Sequence, residues 1–249
     1  MKLIEGGNAF KDANGGPGTQ RILKDQIEPT VVWLEQLTGL DLHGELDDNG
    51  YPEKWLGTTG KKESSGDLDL GVDAKAITKE TLINQLLNRG VDSNDIRKTG
   101  DAVHYKTPIL GNPTNGYVQT DFMFTDNPAL QKFSLAGGSN QYKGVHRNIL
   151  LASVAKALGM KWSPKFGLVD RETNQVISQN PAEIAQKLVG GTPADLESVE
   201  TIVAKIKPRA DYEQLVADAR EAFAKDNIQL PESEQVVEGS AVWFRNFML

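Results

Sequence analysis

Two periodicities alternate along the chain. Apolar residues recurring every three to four positions mark a helix with one buried stripe, and strict alternation marks a strand with one buried face. Ile27, Val31, Leu34 and Leu37 keep the helical spacing and predict a helix over residues 23–40. Trp33 belongs to its packing, Gly39 stops it, and Pro29-Thr30 suits the opening turn of the helix proper. A second helix is predicted over 78–90, capped by Thr78, with Leu82, Leu86 and Leu87 on its apolar face and Gly90 at its end. Two more, over 195–207 and 209–227, are separated by Pro208, and the latter puts Tyr212, Leu215, Val216, Ala219 and Phe223 on one face.

Strand patterns lie between the first two helices and after the second. Asp67-Leu68-Asp69-Leu70 sends both acids to one face and both leucines to the other. Ala102 to Lys106 is strand-like, Pro108 to Gly116 reads as a turn or hairpin loop, and Tyr117 to Phe124 reads as a strand. In that strand Gln119, Asp121 and Met123 share one face, while Val118, Thr120, Phe122 and Phe124 share the other. An acid in the middle of so apolar a strand is costly unless paired or metal-bound. The remaining segments are polar. Residues 1–22 are a glycine-rich arm, Asp47-Asp48-Asn49-Gly50 is an acidic turn rather than a calcium loop, and Pro231 to Glu238 is an acidic linker.

The chemistry concentrates in residues 56–70. Gly57 and Gly60 stand in a short loop whose backbone N–H groups can approach phosphate oxygens, and a lysine pair, Lys61-Lys62, follows. Two same-face carboxylates then form a hard-oxygen site suited to Mg²⁺. Strand–helix–strand order lets the Asp121 strand lie beside the Asp67/Asp69 strand. Three carboxylates from neighbouring strands could hold two metal ions that clamp the attacking oxygen and leaving phosphate of an in-line displacement.

Composition narrows the setting. A chain of 249 residues suffices for one large domain or two small ones, and 39% hydrophobic with 24% charged residues is ordinary for a soluble globular protein. The absence of cysteine excludes disulfides, thiol catalysis and cysteine-ligated zinc, and His43, His104 and His146 are too scattered to suggest a zinc site. No apolar run has the length of a signal peptide core or a membrane span, so a cytoplasmic location is expected. A net charge of −7 and a pI near 5.1 argue against a coat on duplex nucleic acid and confine any such contact to a local patch. Lys143, His146, Arg147, Lys156, Lys161 and Lys165 supply one candidate patch, equally readable as a solvated helix face; Trp162 reads better as a core residue than as a base-stacking one. The apolar end, Ala241 to Leu249, should dock on the body or on another subunit.

Gly57-Thr58 followed by Ser64-Ser65-Gly66-Asp67-Leu68-Asp69 resembles the Gly-Ser…Ser-Ser-Gly-Asp-x-Asp signature of the polymerase β-like nucleotidyltransferases, in a form most like the family X DNA polymerases. Phe133 to Ser139 is similar to the segment lining that family's nucleotide site. His146 to Gly159, Phe166 to Asp170 and Pro181 to Gly190 look like the helix, hairpin and short helix of its C-terminal subdomain. The resemblance covers residues 55–190. It implies an α+β fold, with a palm-like mixed sheet flanked by helices and then a mostly helical C-terminal subdomain. The corresponding divisions are 1–54, 55–132 and 133–249.

By the same resemblance, Asp67 and Asp69 would bind two Mg²⁺ or Mn²⁺ ions. Asp121 would bind the catalytic one and polarise or deprotonate the attacking hydroxyl. Gly57, Thr58 and Ser65, with Gly66, Lys61 and Lys62 around them, would meet the nucleoside triphosphate, and Gly137 and Gly138 its sugar or base. The expected reaction moves a nucleoside monophosphate from a triphosphate to an acceptor hydroxyl, a nucleic-acid 3′ end being one candidate, and releases pyrophosphate. The chain departs from the family in a loop one residue shorter, in lysines where the family has arginines, and in lacking a lyase-like region or helix-hairpin-helix repeat. A catalytically silent nucleotide- or partner-binding module is the alternative, and an assembly protein a third reading.

Overall fold

A computed structural model describes residues 9–11, 18–47, 50–136 and 142–230. Most of the glycine-rich arm, Asp48-Asn49, Gly137 and Gly138, the acidic linker and the apolar C-terminus therefore lie outside the described residues. The fold is α+β, and it divides into two compact units, one ending at Lys132 and one beginning at Phe133.

The first unit is built on a four-stranded mixed sheet. Its strands are β3 (Asp67–Asp73), β4 (Ile96–Thr99), β5 (Ala102–Pro108) and β6 (Tyr117–Thr125), in the order β3-β6-β5-β4. β3 and β6 run parallel, and the other neighbours are antiparallel. One face of the sheet carries Leu68, Leu70, Val72, Val103, Tyr105, Val118, Phe122 and Phe124. These pack with Ile27, Val31 and Leu34 of α1 (Lys24–Thr38) and with Leu82 and Leu86 of α2 (Lys79–Asn88) in one core. The alternation in the sequence thus becomes an apolar face under two helices and a polar face bearing the acids. Before the sheet, β1 (Ile22–Leu23) pairs with β2 (Ser64–Ser65), which stitches the end of the glycine-rich arm to the segment just ahead of the acids.

Two local expectations need correction. α1 begins at Lys24, so Pro29 lies inside the helix and does not open it. The lost backbone donor is tolerated because Ile27 and Val31, on either side, are fully buried and hold the helix by its apolar stripe. Leu87 is not on the buried face of α2. It is 39% exposed, because five residues after Leu82 the helix has turned past its apolar stripe. Thr78 does cap α2, accepting from the Thr81 amide at 3.1 Å, and Gly39 ends α1 in the left-handed conformation.

The second unit begins within α3 (Pro128–Leu135) and centres on α4 (Gly144–Ala157). Nearly every side of α4 is buried. A three-stranded antiparallel sheet, β7 (Met160–Ser163), β8 (Gly167–Asp170) and β9 (Val176–Ser178), follows it. Next come α5 (Pro181–Val189), α6 (Val199–Ile206) and α7 (Tyr212–Lys225). Tyr212, Leu215, Val216, Ala219 and Phe223 are all buried, as the periodicity predicts.

The candidate basic patch loses two of its six members to the interior, while Lys143, Lys156 and Lys165 stay exposed. His146 and Arg147 are 2% and 1% exposed, Lys156 pairs with Asp218 at 2.7 Å, and Lys161 donates to Asn174. Trp162 is buried and donates its indole N–H to Asn148, so it is not free to stack on a base.

Candidate metal centre

Parallel pairing of β3 and β6 sets the site. Its register puts Asp69 opposite Asp121 and Asp67 opposite Gln119. Paired residues on adjacent strands project from the same face, so the three acids converge. Asp67, Asp69 and Asp121 each offer a carboxylate oxygen, and these oxygens all lie within 4.8 Å of one another. Asp121 is buried and the other two are half-buried.

Such crowding is unfavourable for three negative charges. Burial pushes the Asp69 carboxyl well above its usual range, and the neighbouring charges of Asp67 and Asp121 push it further. Asp67 is raised by burial and by Asp121, with the Arg21 guanidinium acting in the opposite sense. Like charges drawn together in a low-dielectric setting call for a cation. Three convergent carboxylates are a suitable donor set for a hard divalent ion such as Mg²⁺ or Mn²⁺.

The glycine loop is fastened to the same strand. The Leu56 amide donates to the Asp69 carbonyl at 2.9 Å, and the Asp69 amide donates to Thr59 Oγ1 at 3.0 Å. The loop is thereby clamped to the main chain of the central acid. Gly57 has φ +57°, and a side chain there would bring its Cβ to 3.0 Å from Asp69 Oδ2. Gly60, at φ +74°, closes over the Trp55 ring, where a Cβ would approach to 2.7 Å. Both positions need glycine for conformation and for space. Among the described residues no hydrogen bond occupies the amides of Gly57, Thr58 or Gly60. The loop therefore offers unused donors beside the acids. Ser65 adds a hydroxyl that is buried and makes no hydrogen bond. Lys61 and Lys62 are exposed and form no ion pair among the described residues.

Three further residues at the site escaped sequence reasoning. Arg21 reaches from the residue before β1 to Ser64, donating from Nε to the hydroxyl at 3.0 Å and from Nη2 to the carbonyl at 2.7 Å. It thus places a guanidinium beside Gly66 and Asp67, where the loop itself has only lysines. His104 pairs opposite Asp121 across β5 and β6, with Nδ1 at 2.7 Å from Oδ1. Gln119 shares the acid face and donates to both Asp121 oxygens, at 2.9 and 3.2 Å. Alternation along 102–106 places His104 on the polar face, but only the strand register shows which residue it meets. Arg21 gave no signal, because a two-strand pairing between distant segments has no periodicity of its own. Gly137 and Gly138, the remaining expected contacts, lie outside the described residues.

Among the described residues no helix is long and apolar enough to cross a membrane. Compared with protein-family models and with curated proteins, the chain finds no match.

Proposed function

We propose that the chain is a divalent-metal-dependent nucleotidyltransferase of the polymerase β-like kind, transferring a nucleoside monophosphate from a nucleoside triphosphate to an acceptor hydroxyl. The observation that carries this reading is the parallel register that sets Asp69 against Asp121, with Asp67 one strand step away and a donor-rich glycine loop clamped to the same strand. Metal-only or phosphate-only roles would each explain half of that arrangement. A metal–phosphate substrate explains both.

In this reading Asp67, Asp69 and Asp121 hold the ion or ions, which when bound supply Lewis-acid stabilisation of the phosphoryl oxygens. The free amides of Gly57, Thr58 and Gly60 bind the triphosphate, as does the Ser65 hydroxyl. Arg21 provides the planar fork that lysines lack, and Lys61 and Lys62 neutralise charge at the rim. Asp121, the most buried of the acids, orients the acceptor hydroxyl and takes up its proton. Residues 55–132 form the palm-like core of this assignment, and those from 133 onward its C-terminal subdomain. A nucleic-acid 3′ end is the preferred acceptor, on the strength of the sequence resemblance in the C-terminal segment.

The test incubates the full chain with each α-labelled nucleoside triphosphate, Mg²⁺ or Mn²⁺, and pooled RNA, DNA and protein acceptors. Transfer of label with release of pyrophosphate, lost in Asp69→Ala, is the expected result. Metal-dependent binding of triphosphate with no labelled product on any acceptor would make the chain a silent binding module instead.

A further inference from the structure

The three acids are not held alike. Among the described residues no other side chain hydrogen-bonds the carboxylates of Asp67 or Asp69, whereas Asp121 is gripped from two sides. Gln119, itself anchored by the Ala9 amide at 2.7 Å, donates one nitrogen to both Asp121 oxygens and so does not choose between them. His104 does choose. Its Nδ1 meets Oδ1 alone, at 2.7 Å, while Oδ2 keeps only the longer 3.2 Å contact with Gln119. An ionised carboxylate only accepts, so Nδ1 carries the hydrogen. In a neutral ring Nε2 is then the acceptor, and the Thr99 hydroxyl stands against it as donor. Thr99 and His104 belong to the antiparallel β4–β5 hairpin, with Thr99 opposite Ala102 and therefore on the same sheet face as His104. The hairpin thus fixes which ring nitrogen faces Asp121.

We propose that His104, backed by Thr99, is a positioning residue for the ion site: it ties down Oδ1 of Asp121 and leaves Oδ2 free to bind the cation. The inference rests on the reading of the three acids as an ion site. It goes beyond that reading by assigning a residue from outside the acidic motif, on a neighbouring strand, that sets the affinity of the centre. Partners that orient a metal ligand in this way typically alter metal affinity by about ten- to a hundred-fold when removed.

Direct Mn²⁺ titration followed by electron paramagnetic resonance tests this on the full-length wild type and on His104→Ala, His104→Gln and Thr99→Val. Thermal melting in EDTA supplies a separate measure of folding. The expected result is Mn²⁺ binding by the wild type and binding about ten- to a hundred-fold weaker in His104→Ala. His104→Gln, whose amide can still donate to Oδ1, should fall between them, and Thr99→Val should lose a smaller factor. Wild-type binding with unchanged affinity in His104→Ala overturns the inference and leaves the ion site standing, even if the melting temperature drops, since that outcome marks a packing role. No binding by the wild type overturns both. Should His104→Ala fail to fold, His104→Gln and Thr99→Val decide, and affinities equal to wild type in both would overturn the proposal.

Discussion

Each of the two units encloses charge away from water, and each resolves the cost differently. In the second unit Arg147 is 1% exposed on α4, without a carboxylate in ion-pair contact among the described residues. Burial lowers its pKa to about 10, with the more distant Glu197 acting in the opposite sense. Its Nε donates to the Leu196 carbonyl, its Nη1 reaches the Ser134 carbonyl at 3.5 Å, and the guanidinium lies over the Phe133 ring at 4.7 Å. Protein dipoles and a ring face enclose most of that charge, and its Nη2 is buried without a hydrogen-bond partner. In the first unit three like charges are crowded instead, on a half-buried face, beside a loop with unused donors. The Arg147 charge meets neutral groups of its own chain; the three carboxylates meet one another, an arrangement that a bound cation would complete.

Removing charge from the two places should therefore have opposite consequences. Asp69→Ala or Asp121→Ala should reduce nucleotidyl transfer by about a thousand-fold or more, on the order of 4 kcal/mol of transition-state stabilisation, with the fold retained by circular dichroism. Full activity in either variant would remove the basis of the proposed reaction. Arg147→Ala should instead cost stability, by about 2–4 kcal/mol in denaturant titration, since it empties a buried site and strands the Leu196 carbonyl. Arg147→Met, which restores much of the volume, should lose less. Neither Arg147 variant should change Mn²⁺ affinity. A change there would mean that the two charge sites are coupled, against the contrast drawn between them.

A divalent ion should sharpen the difference further. At a concentration about a hundred times its dissociation constant, Mg²⁺ or Mn²⁺ should stabilise the wild type by about 2.7 kcal/mol in thermal or chemical unfolding. Asp69→Asn should melt higher than the wild type in EDTA, because it relieves crowding and burial of charge, and should gain much less from the ion. A melting temperature that falls in EDTA on this substitution would show that the triad is held by contacts within the protein, as most of the Arg147 guanidinium is. Gly57→Ala probes the loop on a smaller scale. Its left-handed backbone costs on the order of 1 kcal/mol with a side chain, and the added Cβ presses on Asp69 Oδ2. Weaker Mn²⁺ binding is expected, with the EDTA melting temperature lowered by only about 2–4 °C.

What the sequence made legible follows the same division. Asp67, Asp69 and Asp121 could be picked out because a carboxylate on an alternating strand has one face to occupy, and strand–helix–strand order left the two strands free to neighbour each other. The buried stripe of α7 was readable for the equivalent reason. His104 was not, since its meaning depends on the register of β5 against β6, and a shift of one residue would send it to the core; alternation put Gln119 on the face of Asp121, but not its hydrogen bonds to that carboxylate. Arg21 depends on a pairing across more than forty residues with no pattern in either segment. His146 and Arg147 misled the reading in the other direction. Charge in a sequence suggests surface, and only the burial of α4 on nearly every side shows these residues to be interior.

The smallest effect concerns His43, whose link to the glycine loop runs through Trp55. His43 lies between Glu28 and Glu35, at 3.1 and 2.8 Å, and packs against Trp55, the residue over which Gly60 closes. Burial alone would lower its pKa, but the hydrogen bond to Glu35 and the charges of both glutamates outweigh it, and the net shift is upward from 6.5. A raised folded-state pKa means that the protonated ring favours the folded state. That contribution is complete below pH 6.5 and disappears as pH rises through the raised value. Its size is under about 1 kcal/mol for a pair this close to solvent. The raised carboxyls of Asp67 and Asp69 give a slope of the same sign, so the two must be separated. Saturating Mg²⁺ holds the triad ionised and removes its share, and the slope that remains should vanish in His43→Gln. If the slope in Mg²⁺ persists in that variant, another group is responsible. If it is already absent from the wild type in Mg²⁺, the pH dependence belongs to the triad alone and the glutamates merely hold the ring in place.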